Sequence, residues 1–221
     1  MSRLLIVGAG GHGKVTLDCA LENKKYCRIA FLADDASVAV GGELAGHPVL
    51  LESQTSFERM ASEFDEFIIA IGDNHIRMKK TGHFIENGLK LATLIHPSAA
   101  VSAFAKISPG TVIFANAVVN AFAVIGRSCI INSGAVVEHD CVIGDGAHVS
   151  PKAALGGSVI VGQKSWLCLG SSVANNLRIG AETVIGAGAV VLHDVPDGVL
   201  AAGVPAVICK RYPEAASSIE I

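Results

Sequence analysis

A six-residue period runs without a break from Ile95 to Pro196, and it dictates how nearly half of the chain folds. The hexads open at Ile95, Val101, Ile107 and every sixth residue on to Val191, seventeen openers that are all aliphatic. At the fifth place of the hexad, fourteen of the seventeen residues are Ala, Cys, Ser or Thr, and only Val159, Leu177 and Val195 are larger. Six is not a multiple of 3.6, so on an α-helix the openers would drift around the axis and no face would collect them. A short strand followed by a tight corner returns every sixth residue to the interior, which is the pattern of a hexapeptide β-helix. The small fifth residue suits a cramped corner. Three hexads make one triangular coil, so residues 95–196 are expected to form nearly six parallel coils.

The first eighty residues follow another pattern. Arg3–Val7 reads as a strand, Gly8-Ala9-Gly10-Gly11-His12-Gly13 as a tight turn, and Lys14–Asn23 as a helix with Val15, Leu17 and Leu21 along an apolar face. Cys27–Leu32 reads as a second strand running into Asp34-Asp35, and Phe67–Ile71 as a third running into Gly72-Asp73-Asn74. This order opens a Rossmann-like sheet, in which the glycine turn admits phosphate to the free amides of a helix N-terminus. Gly8, Gly10 and Gly13 satisfy G-x-G-x-x-G, and Asp34 lies twenty-one residues past Gly13, near where an acid meets a ribose. A nicotinamide-dependent oxidoreductase therefore has to be weighed. Against it, the unit ends near residue 80, which leaves room for one mononucleotide half and not for two. A nucleoside diphosphate fits better. The expected division is a Rossmann-like α/β domain over 1–80, a connecting segment over 81–94, a β-helix over 95–196, and a C-terminal loop and tail over 197–221.

Composition removes several functional classes. Hydrophobic residues make up 51% of the 221 but aromatic ones only 5%, which suits cores of Ile, Val and Ala. A net charge of −3 without any Lys/Arg cluster gives no electrostatic case for nucleic acid. Leu4–Val7, the longest aliphatic run near the start, is too short for a signal peptide or a membrane span, so a cytoplasmic protein without membrane insertion is expected. The six cysteines show no Cys-x-x-Cys pairing and read as buried, reduced thiols.

Within the coil the chemistry concentrates at Val137-Glu138-His139-Asp140-Cys141-Val142. His139 and Asp140 are third and fourth in their hexad, at a corner that points away from the packed interior. A histidine there suits proton abstraction near neutral pH, and a flanking carboxylate orients the ring; the residues alone leave Glu138 and Asp140 both open for that role. Eighteen residues on lies Gly157, one coil beyond His139, where a bare backbone amide stands beside the histidine and could meet an oxyanion. His148 is half a coil from His139, so the two face opposite sides of one prism and can meet only between chains. The same separation supplies no closely spaced histidine pair, so no metal site is expected.

The hexad run resembles the left-handed parallel β-helix of the hexapeptide acyltransferases. The run Gly10-Gly11-His12-Gly13-Lys14 resembles the N-terminal domain of bacterial sugar acyltransferases that join such a domain to a β-helix, so the likeness covers the whole chain. Its nearest form is the bacillosamine-type UDP-4-amino-sugar N-acetyltransferase, with relatives acting on GDP-perosamine and sialic acid. The resemblance implies a nucleotide-sugar site at Gly10, Gly11, His12, Gly13, Lys14, Gly72 and Asn74, with Asp34 or Asp35 at the base or ribose. It implies acetyl-CoA as co-substrate, without metal, contacting His148, Gly157, Leu169 and Ala187. His139 becomes the general base, Asp140 the group that raises its basicity, and the assembly a homotrimer with active sites between subunits. Gly203-Val204-Pro205-Ala206 resembles a loop closing over CoA, with Lys210 and Arg211 placed to meet its phosphates. Because a fold alone does not settle function, a non-catalytic or metal-dependent β-helix is the alternative of a different class.

Overall fold

The computed structural model describes residues 1–34 and 42–212, so Asp35 and the expected tail from residue 213 lie outside the described residues. The first domain is a sheet of five strands, β1 (Ser2–Val7), β2 (Tyr26–Ala33), β3 (Glu43–Leu44), β4 (His47–Leu51) and β5 (Glu66–Ile69), in the order β3-β4-β2-β1-β5 and parallel except for β3. Helices α1 (Gly11–Glu22), α2 (Phe57–Glu63) and α3 (Asn74–Glu86) accompany it. The chain leaves β1 for β2 and β4 on one side and returns to β5 on the other. That reversal opens a crevice beyond the carboxyl ends of β1 and β5, the ligand position in sheets of this kind.

Helix α1 begins at Gly11, three residues ahead of the sequence expectation. A Cβ on Gly13 would run into the carbonyl oxygen of Gly8, so only glycine lets α1 cross β1 this closely. The buried face of α1 is Gly13, Thr16, Leu17 and Ala20, spaced i, i+3, i+4, i+7. Val15 and Leu21, expected on that face, are 43% and 48% exposed. Small residues win because α1 is wedged between sheet and β-helix: its Cys19 Sγ approaches the Ile113 carbonyl, and Asn23 donates to the carbonyl of Ile95.

From Leu94–Ile95 to Val190–Val191 the chain forms seventeen two-residue strands, and each as far as Ser172–Val173 pairs in parallel with the strand eighteen residues on, as Val118–Val119 with Val136–Val137. The result is a left-handed parallel β-helix with three faces. The first face carries Ile130–Ile131, His148–Val149 and Trp166–Leu167; the second carries Val136–Val137; the third carries Val142–Ile143. Openers and fifth-place residues fill the interior, with Val119, Ala123, Ile125, Cys129 and Ile131 fully buried. Every sixth residue from Gly110 to Gly188 has positive φ, so each corner is a turn with a left-handed fourth residue. Glycine fills only some of these places. Asn116, Asp140 and Asn176 are types that tolerate the conformation, whereas Phe122 (φ 63°) is bulky and rests its ring on Phe104 at 5.4 Å.

The two domains share a core. Val112, Phe114 and Ile130 point outward from the first face and are buried with Leu4, Ile6, Leu17, Phe31 and Ile68 of the first domain. Two expected boundaries move. Residue 80 falls inside α3, which runs on to Glu86 because Phe84 completes an aromatic cluster with Phe57 and Phe67. The stretch read as a C-terminal loop holds strands Val199–Ala202 and Val207–Arg211, an antiparallel hairpin that extends the first face and covers the end of the coil. The cysteines divide as well: Cys19, Cys129, Cys141 and Cys168 are buried, but Cys27 and Cys209 are exposed, one near the start of β2 and one in the outer strand of the hairpin. Among the described residues no helix is long and apolar enough to cross a membrane.

Candidate active site

A cleft of about 320 Å³ opens at the carboxyl ends of β1, β2 and β5, lined among others by Gly10, Gly11, His12, Asp34 and Gly72. Gly10 is the N-cap of α1 and has no side chain to offer, so the first amides of the helix are left to a ligand. A Cβ on Gly10 or Gly11 would meet nothing within 4 Å, so packing inside the protein does not explain these glycines. Glu52 and Lys80, ion-paired at 2.6 Å, and Ile76 complete the lining. The sequence reading missed them. Ile76 and Lys80 are four apart on α3 and share a face, a signal visible only once α3 is known.

Three expected members of this site are outside the lining of the cleft, although Asn74 lines an adjoining cavity. Gly13 serves the packing of α1 on β1, and Lys14 is exposed outside the lining. Asn74 is buried and turned to the β-helix, its Nδ2 donating to the carbonyls of Lys164 (2.9 Å) and Ser165 (3.2 Å) while its Oδ1 accepts from Arg77. Its polar atoms are spent on holding two domains together. A smaller cavity of about 220 Å³ shares Gly72 with the cleft and reaches Lys164 and Trp166 on the coil.

His12 sits where cleft and coil meet, its ring edge-on to Phe114 at 5.4 Å and its Nε2 buried without a partner. Burial, and then the charge of Arg77, push its pKa down to about 4, so it is neutral at pH 7. His148 lies on the first face, stacked on Trp166 with ring centroids 5.9 Å apart. The amide of Asn132 donates to its Nε2 at 3.0 Å, which leaves the proton of the neutral ring on Nδ1, a buried atom with no partner. Burial, then Arg77 and His12, push the His148 pKa down to about 3.

His139 occupies the corner between the second and third faces. Its Nδ1 lies 2.8 Å from Asp140 Oδ2, while Glu138 accepts the backbone N–H of His139 at 3.2 Å. Asp140 is thus the carboxylate at the ring, made adjacent by its left-handed backbone (φ 60°), and Nε2 faces away from it. Gly157 is directly beside the ring: a Cβ there would stand 2.6 Å from Cε1 and 2.7 Å from Nε2 of His139. The space expected for a thioester is therefore partly filled by the imidazole, which rests on the bare backbone. Leu169 and Ala187 are exposed one coil apart on the corner between the first and second faces, a different edge of the prism from His139 and Gly157. Within one chain the expected co-substrate contacts are divided between the first face and two edges. Lys210 and Arg211 are in the exposed outer strand of the hairpin, with Lys210 Nζ 5.0 Å from the Tyr212 ring.

A one-half nucleotide fold docked on a β-helix, with a histidine–aspartate pair at a coil corner, defines a two-substrate group-transfer architecture. Residues 3–83 match the family described as PglD N-terminal domain, and residues 122–157 match bacterial transferase hexapeptide (six repeats). PerB from Caulobacter crescentus, solved with CoA and GDP-perosamine, is 36% identical over 95% of this chain and 98% of that one, with a TM-score of 0.88. The acetyltransferase domain of PglB from Neisseria gonorrhoeae, solved with acetyl coenzyme A, is 37% identical over 94% of this chain and 98% of that one, with a TM-score of 0.85. UDP-N-acetylbacillosamine N-acetyltransferase of Bacillus subtilis (strain 168) is 40% identical over 110 residues, a match spanning half of this chain and half of that relative's length. The chain belongs to the family of hexapeptide-repeat sugar acetyltransferases with a PglD-type N-terminal domain.

Proposed function

We propose that the protein transfers acetyl from acetyl-CoA to the 4-amino group of a UDP-linked amino-dideoxy sugar. The observation that carries this reading is the pair of sites: a cleft with open helix amides for a diphosphate, and a histidine backed by a carboxylate at 2.8 Å for proton removal. Gly10, Gly11, His12, Asp34 and Gly72 hold the nucleotide, with the diphosphate on the N-terminus of α1. The amine nitrogen attacks the thioester carbon as its proton passes to His139 Nε2. Asp140 steadies the imidazolium so formed. The tetrahedral oxyanion collapses, the C–S bond breaks, and the CoA thiolate leaves and takes up a proton. Neither step needs an acyl-enzyme.

The co-substrate lies between subunits of a homotrimer in this reading. His139 and Gly157 of one chain and His148, Leu169 and Ala187 of the next would then bracket it, a reading supported by the place of His139 and Gly157 on one edge, of Leu169 and Ala187 on another and of His148 on the first face. A GDP-linked amino sugar is the second reading, favoured by the 36% identity to PerB over 95% of this chain. The test is release of CoA thiol from acetyl-CoA with a UDP-4-amino-dideoxy sugar, GDP-perosamine or sialic acid as acceptor. The UDP sugar is expected to give the highest kcat/KM; a preference for GDP-perosamine selects the second reading, and a preference for sialic acid defeats both.

A further inference from the structure

Helix α3 meets the β-helix through polar side chains, where an interface of this kind is ordinarily apolar. Asn74, Arg77 and Thr81 are all buried and recur along one face of the helix. Each meets the corner between the third and first faces. Thr81 shares a hydrogen bond of 2.9 Å with Ser128, Arg77 donates to the carbonyls of Ser128 (2.8 Å) and Gly146 (2.6 Å), and Asn74 donates to that of Lys164. Ser128, Gly146 and Lys164 are eighteen residues apart, one per coil. From Asn74 to Thr81 is seven residues, about 10.5 Å of helix rise. Two coils are about 9.6 Å. A turn of helix thus advances by nearly the height of one coil, and the three polar side chains of α3 reach three successive coils, with Arg77 spanning two of them.

The match holds in one register only. Met78 lies against Gly146, where an added Cβ would collide with its Cγ. A slip of one coil would bring Met78 onto Ser128 or Lys164, both of which carry the side chain that Gly146 lacks. Arg77 also reaches back to the carbonyls of Ile71 (2.9 Å) and Gly72 (3.0 Å), at the rim of the cleft. Its acceptors among the described residues are four carbonyls and the Asn74 amide, so its five donors tie the cleft rim to two successive coils.

We propose that α3 is a register key between the domains, and that Arg77 is the positioning residue that fixes the height of the nucleotide-sugar cleft along the β-helix. The inference rests on the nucleotide-sugar reading of the cleft. Chemistry tolerates little slack: a misplacement of about 1 Å costs on the order of 100-fold in rate, and a slip of one coil is about five times that distance.

Arg77→Lys keeps the charge but loses the planar fork, and Arg77→Met loses both. For each, kcat is measured with acetyl-CoA and the preferred amino-sugar nucleotide, and the Kd of the matching nucleoside diphosphate by calorimetry. The expected result is a fall in kcat of roughly 10- to 100-fold, with the nucleoside diphosphate Kd within about threefold of wild type. Unchanged kcat per folded site with a lowered Tm would overturn the proposal, and so would a rise in Kd matching the whole loss of kcat/KM. If the Arg77 variants do not fold, Thr81→Val and Asn74→Ala are expected to show the same split, and normal kcat in both overturns it. Failure of the wild-type protein to bind either UDP or GDP is a separate result, which removes the reading of the cleft and the inference with it.

Discussion

At the scale of single residues, the contact between Gly157 and His139 decides how the imidazole is held. The Asp140 carboxylate fixes Nδ1, and the absent Cβ of Gly157 gives the ring a seat. Gly157→Ala is therefore expected to push the imidazole off line and lower kcat on the order of 100-fold, with little effect on Tm. Asp140→Asn should lower kcat far more than Glu138→Gln, because Glu138 holds the backbone rather than the ring; equal losses in steady-state rates would contradict that division. The buried histidines make a second prediction. His12 and His148 have folded pKa values of about 4 and about 3, below the ordinary value of 6.5. The unfolded chain therefore binds more protons between these limits, so the stability they contribute is present above pH 6.5 and lost as pH falls towards 4. The loss is about 1.4 kcal/mol per pH unit for each proton difference. Thermal melts from pH 7.5 to 4 should show Tm falling, and His148→Gln should flatten the slope; an unchanged slope would show that His148 is not held neutral.

At the scale of elements, the β-helix was legible in the sequence because its constraint is local and repeated. Each opener is aliphatic and most fifth residues are small, and burial of Val137, Cys141 and Ile143 follows directly. The eighteen-residue coil also puts Gly157 one coil beyond His139 in the sequence itself. Features that depend on what packs from outside were not legible. Val15 and Leu21 look like an apolar face until the coil is seen to claim the opposite side of α1, and Asn74 looks like a ligand contact until Lys164, ninety residues away, is seen beside it. Outward positions of the coil are likewise silent in the repeat, yet Phe114 is 1% exposed because the first domain covers it. Phe114→Ala is expected to cost about 3–5 kcal/mol by the usual penalty for a buried aromatic. Chemical denaturation checks the value, and a loss below about 1 kcal/mol would mean that the domains do not share a core.

At the scale of the whole molecule, the cleft and the histidine corner belong to different domains, and the expected co-substrate contacts are divided between the first face and two edges of one prism. The proposed trimer, with sites between subunits, would join these halves. Co-refolding His139→Ala chains with chains whose cleft is blocked by Gly11→Val should then restore activity, to about one quarter of wild type in an equal mixture by random pairing. No recovery would place each site within a single chain. The most direct test of the central reading is the product itself, followed by NMR on a reaction of acetyl-CoA with the UDP-4-amino-dideoxy sugar. The account predicts an acetamide at the 4-nitrogen, formed mole for mole with CoA thiol, and none from His139→Ala although that variant still binds both substrates. An acetyl ester on a sugar oxygen, or wild-type turnover by His139→Ala, would contradict it.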